Sequence, residues 1–86
     1  MALVYPHAGT AIYIPVELNG RLGRAVFRAV HQRSQAELFW HLDDHFLGKT
    51  RHFHEQAIVA EPGWHTLTLV DDQGFRLRHR FKVLAK

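Results

Sequence analysis

The sequence contains no cysteine, only three prolines and no long hydrophobic run. The lack of cysteine excludes disulfides, thiol catalysis and cysteine zinc sites. No stretch approaches the roughly 20 apolar residues of a membrane helix, and the first residues lack the basic and apolar regions of a secretory signal. With 86 residues, we expect one small domain spanning 1–86, either complete or cut from a larger protein, and too short for most whole enzymes.

The formal charge of +3 is distributed unevenly along the chain. Residues 75–86 carry five basic residues and no acid, which gives this segment a charge of +5. Residues 1–74 carry six basic and eight acidic residues, and their charge is −2. The basic character therefore belongs to one segment of the chain, although the eight histidines can add positive charge near pH 6.

The clearest secondary-structure signal is a hairpin near the end of the chain, because apolar and polar residues alternate there with a period of two. One face of the strand over residues 75–83 is predicted to hold Phe75, Leu77, His79, Phe81 and Val83. The opposite, solvated face is predicted to hold Arg76, Arg78, Arg80 and Lys82. Residues 64–70 form the preceding strand, with Leu67 and Leu69 opposite Thr66 and Thr68. Residues 71–74 are a turn in which Gly74 supplies a positive φ.

Further strands are predicted where apolar residues alternate between turn signals. The predicted segments are 10–16, an edge strand ended by Pro15, 24–31, 36–42, 52–60 and a short return at 46–47 that stops at Gly48. The helix candidate at 31–39 lacks an amphipathic stripe. About seven short antiparallel strands with turns between them predict an all-β sandwich.

The sequence carries no recognisable catalytic constellation. Ser34, the only serine, lies in a polar loop without the glycine frame or the Ser-x-x-Lys spacing of a serine nucleophile. Gly48-Lys49-Thr50 resembles the end of a phosphate-binding loop, but Asp43 stands where the first glycine is required and no helix follows. The pairs Asp43-Asp44 and Asp71-Asp72 are predicted to form turns, because aspartate side chains bond nearby backbone amides. We therefore predict no catalytic residue and no cofactor.

The histidines offer one alternative function. On a strand, His52 and His54 would share a face and could ligate a metal ion, with His31, His41 or His45 as a third ligand. No third ligand lies at a recognisable spacing, so the prediction is no metal site. A small histidine-based metal-binding domain nevertheless stays open as an alternative.

The most function-like feature is the row Arg76, Arg78, Arg80 and Lys82, in which cations follow each other at about 6.6–7 Å along one strand face. Such a row can meet a polyanion: a carboxylate-bearing wall polymer, an acidic protein surface, anionic lipid headgroups or nucleic acid. It can equally be a solvated face that hinders edge aggregation. We expect no nucleic acid, since exposed aromatics that could stack on bases are not obvious nearby, and no membrane contact by this segment itself.

The two tryptophans are interpreted separately. Trp40, with Leu38 and Leu42 on its strand face, is predicted to anchor the core, as a tryptophan on the third strand does in immunoglobulin-like sandwiches. Trp64 follows Pro62-Gly63 and either covers one end of the core or stands exposed at a contact. We add Trp64 to the four basic residues as a candidate binding residue.

Three stretches of the chain resemble one known module. Residues 5–15 are similar to its "YPxxGxxIxxP" segment, residues 40–48 to its "WxLDGxxLG" hairpin and residues 62–74 to its "PGxHxLTVVDxxG" hairpin. The module is the C-terminal domain of bifunctional penicillin-binding proteins of the 1C type. The resemblance spans about Tyr5 to Val83. One position departs from it, because Asp44 stands where the second motif usually carries glycine.

The resemblance implies an immunoglobulin-like β-sandwich attached to a periplasmic, membrane-anchored peptidoglycan synthase. The glycosyltransferase and transpeptidase motifs of such a parent do not occur in this chain, so no catalytic residue is carried over. The implied role is a non-catalytic accessory module that contacts the cell wall or a partner protein. The oligomeric state is not predicted.

Overall fold

A computed structural model describes residues 1–7, 9–14, 20 and 23–84. The described residues form eight strands and no helix, so the all-β prediction is confirmed. The strands are β1 (Ala2–Tyr5), β2 (Ala11–Tyr13), β3 (Ala25–Val30), β4 (Glu37–Leu42), β5 (His45–Arg51), β6 (His54–Ile58), β7 (Gly63–Asp71) and β8 (Arg76–Leu84). No helix in the described part is long and apolar enough to cross a membrane.

The strands are arranged in two sheets. The smaller sheet has the order β1-β3-β6 and the larger one β2-β8-β7-β4-β5. The short β1 was not predicted, because four residues before a proline are too few to establish a period. The expectation of a purely antiparallel sandwich is also wrong, since β2 pairs with β8 in parallel through Ile12 and Val83. As predicted, β2 is an edge strand; Pro15 lies outside the described residues.

One hydrophobic cluster lies between the sheets. Phe27 and Ile58 from the smaller sheet and Trp40, Leu69 and Phe81 from the larger one are almost completely buried in it. The indole of Trp40 donates a hydrogen bond to the Thr50 hydroxyl at 2.8 Å, which satisfies its single polar atom. The predicted role of Trp40 as a core anchor is confirmed.

The hairpin β7–β8 has the predicted faces, and in its register Leu67 lies opposite His79 and Thr68 opposite Arg78. Phe81 and Val83 are buried, but Phe75 is two-thirds exposed. The predicted core position of Phe75 is wrong because β8 begins only at Arg76.

The strand β5 differs most from its prediction, since it continues through Gly48 to Arg51. It does so because β4 pairs with it along this length, and Lys49 and Arg51 both contact the Glu37 carboxylate, at 3.0 and 2.7 Å. Leu47 is an unpaired extra residue on β5, since Trp40 pairs with Gly48 and His41 with Phe46.

Candidate functional site

The four predicted basic residues lie together on one exposed surface. Arg76, Arg78, Arg80 and Lys82 are all exposed on β8 and, opposite the buried Phe81 and Val83, they point away from the core. We call this row the basic face. It belongs to the outer surface of the larger sheet.

The basic face has no carboxylate partners among the described residues, although the chain carries eight acids. The acids instead contact other cations: Glu55 lies 3.7 Å from Arg28, Asp72 lies 2.6 Å from Arg33, and Glu37 contacts Lys49 and Arg51. Of the other described arginines and lysines, only Arg24 likewise forms no ion pair. The positive potential of the basic face is therefore not neutralised locally.

The position of β8 limits the edge-protection interpretation. β7 pairs with β8 from Arg76 to Val83, and β2 covers the other side from Lys82 to Leu84. The backbone of Gly9 extends this cover by donating to the Arg80 carbonyl at 2.8 Å. Charges that hinder strand addition are needed only at an open edge, so this role does not account for Arg80 and Lys82.

Trp64 stands exposed at one end of the basic face. It pairs with Lys82 across the hairpin, about half of its surface is accessible, and the Arg80 guanidinium lies over its ring at 4.9 Å from the centroid. A guanidinium in this position is attracted by the negative face of the indole. The two alternatives for Trp64 are thus resolved in favour of exposure.

A groove of about 950 Å³ runs beside the basic face on the same side of the sheet. Arg76 and Arg78 form one wall, and the floor includes Thr66 and Thr68 of β7. The opposite wall is formed by Phe39, His41 and Phe46 of β4 and β5. We call this cavity the groove. Its volume lies in the usual range of ligand sites in proteins.

The pairing register aligns the two walls. Arg78 is opposite Thr68, Thr68 is opposite His41, and His41 is opposite Phe46. These residues form a single row across four strands, and three strand spacings separate its ends by about 14 Å. A cationic wall and an aromatic wall therefore face each other across a polar floor.

The bulge on β5 makes the aromatic wall possible. Lys49 and Phe46 are three positions apart and would point to opposite faces of a regular strand. The extra residue Leu47 shifts the phase, so that Phe46 also points outward while Leu47 packs against the core. The Phe39 and Phe46 rings lie 6.5 Å apart at 38°, and Phe46 is more than half exposed. The expectation that no exposed aromatics lie near the basic face is wrong.

Carboxylates stand at both ends of the groove: Asp43 and Asp44 at one, Asp71 and Asp72 at the other. The two pairs form the turns β4–β5 and β7–β8, as predicted. Asp71 Oδ1 accepts from the amides of Gln73 and Phe75 at 2.9 and 3.0 Å. The positive φ of the first turn falls on Asp43, at 53°, and not on Asp44, so the position where the family pattern has glycine does not require one.

Asp43 also connects its turn to β7. Its Oδ1 accepts from the Thr66 amide at 2.9 Å, and its Oδ2 lies 2.8 Å from Nδ1 of His65. Nε2 of His65 lies 2.6 Å from the Glu61 carbonyl. Burial opposes protonation of the imidazole, but the Asp43 carboxylate and the Glu61 carbonyl outweigh it and raise the pKa of His65. Burial likewise opposes ionisation of Asp43, yet His65 and the Thr66 amide hold its pKa below the usual range.

Within the described residues, the histidines of the metal hypothesis do not form a group that could hold a metal ion. His52 lies in the bend before β6 with a φ of 68°. His54 is buried, and its Nδ1 contacts the Thr50 hydroxyl at 2.8 Å. Burial, together with nearby His31 and His52, lowers the pKa of His54. Within residues 1–7, 9–14, 20 and 23–84, no three histidine or acidic side chains form a group that could hold a metal ion.

Sequence reasoning located the basic face but missed the groove. Alternation already placed Thr66 and Thr68 opposite the core, so the floor had a signal. His41 was considered only as a metal ligand, and Phe39 and Phe46 were not considered as binding residues. Their placement depends on the β5 bulge and on the order of the strands, neither of which a local pattern specifies. Ser34 is exposed in the β3–β4 loop, as predicted.

The comparisons with known proteins give one match. The family model described as Penicillin-Binding Protein C-terminus Family matches residues 1–81. No curated protein and no solved structure matches the chain.

Proposed function

Since this chain belongs to the penicillin-binding protein C-terminus family, a domain of a kind that is not the catalytic module, we propose that it is an accessory module of a bifunctional peptidoglycan synthase. Its function is to contact the anionic polymers of the cell wall through the basic face and Trp64. The parent carries out the glycosyltransferase and transpeptidase reactions in its other domains. The module acts on the periplasmic side of the membrane that anchors the parent.

The observation that carries this proposal is the row of four exposed cations, which have no carboxylate partners in the part of the chain that the structure describes. Exposed Arg and Lys residues elsewhere mostly have an acid within 4 Å, so the unpaired row is not simply a reflection of the basic composition. Repeated charges at a spacing of about 6.6–7 Å suit a polymer with repeated negative groups. We favour the wall over a partner protein for this reason.

The sandwich is, we further propose, of the immunoglobulin-like type. If β1, β3 and β6 are named A, B and E, and β4, β5, β7 and β8 are named C, C′, F and G, the sheet orders become A-B-E and β2-G-F-C-C′. Apart from the additional edge strand β2, these orders agree with the variable-type sandwich, except that strands D and C″ do not occur among the described residues. The buried Trp40 then lies on strand C, where such sandwiches carry a tryptophan.

Charge reversal tests the wall contact. The variant R78E/R80E should keep the melting temperature, because both side chains are exposed, and should sediment with purified peptidoglycan at least about tenfold less efficiently than the unchanged chain. Sedimentation of the unchanged chain should also weaken as salt is raised.

The matched control is R24E/R28E, which makes the same change in net charge before and on β3, away from the basic face. It should bind peptidoglycan nearly as well as the unchanged chain. Equal losses in both double variants would mean that only the net charge matters and would overturn the proposal. So would unchanged binding of R78E/R80E.

A further inference from the structure

We infer that the groove is a glycan subsite, which takes a carboxylate-bearing sugar chain with its rings against Phe39 and Phe46 and its carboxylates toward Arg76 and Arg78. This inference rests on the proposed function and assigns it a ligand class and a location. It separates the groove from the outer part of the basic face, where Arg80, Lys82 and Trp64 lie.

The aromatic wall is the feature that points to sugar. Phe39 and Phe46 are tilted against each other with their centroids 6.5 Å apart, and His41 extends the wall at 5.4 Å from Phe46. An exposed phenyl face gains from covering an apolar surface, and the C–H face of a sugar ring supplies such a surface beside its hydroxyl groups. A polyanion without an apolar surface would gain nothing from contact with these aromatic rings.

The floor of the groove, between the two walls, offers polar partners for a ligand. The Thr68 side chain lies between Arg78 and His41 in the row across the sheet, and neither Thr66 nor Thr68 uses its hydroxyl group in a hydrogen bond within the described part of the chain. Nδ1 of His41 is likewise buried without a partner among the described residues. Hydroxyl groups that can both donate and accept match the hydroxyls of a sugar.

Arg76 and Arg78 are the residues that would bind the carboxylates of the ligand. Arg76 and Arg78 are exposed and without ion pairs among the described residues, and a guanidinium can hold a carboxylate through two parallel hydrogen bonds. Of the carboxylates at the ends of the groove, those of Asp43, Asp71 and Asp72 are paired with His65, His31 and Arg33, whereas Asp44 has no ion pair within the described residues. A ligand with one charge on every unit would meet the Asp44 carboxylate, whereas a sugar chain with charges only on some units need not.

This distribution also distinguishes the glycan from nucleic acid and from an acidic protein segment. A single strand of nucleic acid has stacking bases that would suit the aromatic wall, but its continuous phosphates would approach the Asp44 carboxylate at one end of the groove. An extended acidic peptide would gain most of its affinity from main-chain bonds at a sheet edge, and the groove lies on the face of the sheet.

Calorimetric titration with four probes tests the inference. The probes are peptide-free peptidoglycan strands with their lactyl carboxylates, chitohexaose as the neutral sugar, polyglutamate, and a single-stranded oligodeoxynucleotide. The carboxylate-bearing strands should bind most tightly. Phe46→Ala should weaken their binding by roughly tenfold, and Arg78→Gln should weaken it similarly while leaving the weaker binding of chitohexaose unchanged.

Two matched controls are available in this chain. Phe53→Ala removes an even more exposed phenylalanine between β5 and β6, and Arg24→Gln removes the described arginine outside the basic face that forms no ion pair. Neither residue lines the groove, so both variants should bind the strands like the unchanged chain. Melting temperatures close to that of the unchanged chain establish that all four variants fold.

The outcomes separate the inference from the proposed function. If R78E/R80E weakens peptidoglycan binding but Phe46→Ala binds like Phe53→Ala, the basic face contacts the wall and the glycan subsite is wrong. If neither R78E/R80E nor Phe46→Ala weakens binding, both the wall contact and the glycan subsite are wrong. Phe46-dependent binding that is tighter for polyglutamate or the oligonucleotide would replace the glycan by an acidic protein segment or nucleic acid, and equal binding of chitohexaose would overturn the role of the arginines.

Discussion

His65 has a hydrogen-bond acceptor next to each of its ring nitrogens, the Asp43 carboxylate and the Glu61 carbonyl. An imidazole can donate from both nitrogens only when both are protonated. The geometry therefore requires the imidazolium form, in agreement with the raised pKa of His65 and the lowered pKa of Asp43. His65 also stacks on the buried Phe81 ring at 5.8 Å, so the charged pair joins the β4–β5 turn to the core.

The raised pKa of His65 and the lowered pKa of Asp43 predict how the stability that this pair contributes depends on pH. The contribution of His65 to the free energy of unfolding is complete below its unfolded pKa of about 6.5 and is lost as the pH rises through its raised folded pKa. The contribution of Asp43 is complete above about pH 3.9 and is lost as the pH falls through its lowered pKa. The pair should therefore stabilise most between about pH 4 and 6.5, and Asp43→Asn should cost about 1 kcal/mol in that window after allowing for solvent screening.

Urea unfolding at several pH values measures this effect. His65→Gln should remove the loss of stability above pH 6.5, whereas His7→Gln, a change at an exposed histidine, should keep it. His54 contributes with the opposite sign, since burial lowers its pKa and its contribution is lost as the pH falls below about 6.5. A difference between His65→Gln and the unchanged chain that does not vary with pH would refute the charged pair.

At the scale of the secondary-structure element, the hairpin β7–β8, which carries the basic face, is stabilised by the buried carboxylate of Asp71. Asp71 accepts two amides of its own turn through Oδ1, and its Oδ2 lies 3.0 Å from Nε2 of His31. Nδ1 of His31 accepts from the Arg33 amide at 3.0 Å, so Nε2 must be the donor to Asp71. Burial would raise the pKa of Asp71, but these hydrogen bonds, the one from His31 foremost, hold it below its usual range.

We predict that Asp71→Ala lowers the free energy of unfolding by about 3 kcal/mol, because it leaves three partly buried donors, those of His31, Gln73 and Phe75, without this acceptor. The adjacent Asp72 is the matched control. It is exposed and its carboxylate pairs with the partly exposed Arg33, and exposed ion pairs contribute little. Equilibrium urea unfolding of Asp71→Ala and Asp72→Ala measures the difference, and similar losses in the two variants would contradict the assignment.

At the scale of the whole molecule, the two sheets share one core. The buried cluster contains Phe27 and Ile58 from the smaller sheet and Trp40, Leu69 and Phe81 from the larger one. The Thr50 hydroxyl adds a polar link, because it accepts from Trp40 and lies 2.8 Å from Nδ1 of His54 of the smaller sheet. Neither sheet can keep its apolar side buried without the other.

We therefore predict a single cooperative unfolding transition, with a slope of about 1 kcal/mol/M in urea for a chain of this size. The measurement compares far-ultraviolet circular dichroism with tryptophan fluorescence in Trp64→Phe, where Trp40 reports on the core alone. The two transitions should coincide. Separate midpoints would show that the sheets unfold independently and that 1–86 is not one domain.

The sequence alone determined the features that depend on neighbouring residues. Alternation specified the two faces of β7 and β8, the aspartate pairs and Gly74 specified the turns, and the apolar neighbours of Trp40 specified its burial. The order of three short motifs indicated the family that the match over residues 1–81 shows. These properties follow from side-chain period and local backbone preference, which are readable along a chain.

Only the tertiary structure decided the features that depend on which strands become neighbours. One such feature is the parallel pairing of β2 with β8, and another is the extra residue Leu47 that turns Phe46 outward. A third is the pairing of every described arginine and lysine with an acid, except Arg24 and the basic face. The groove is the result of those pairings, since its walls come from strands that are separated by about 30 residues along the chain. A period of two predicts which face of a strand is exposed to solvent, but it does not predict which strands lie beside it.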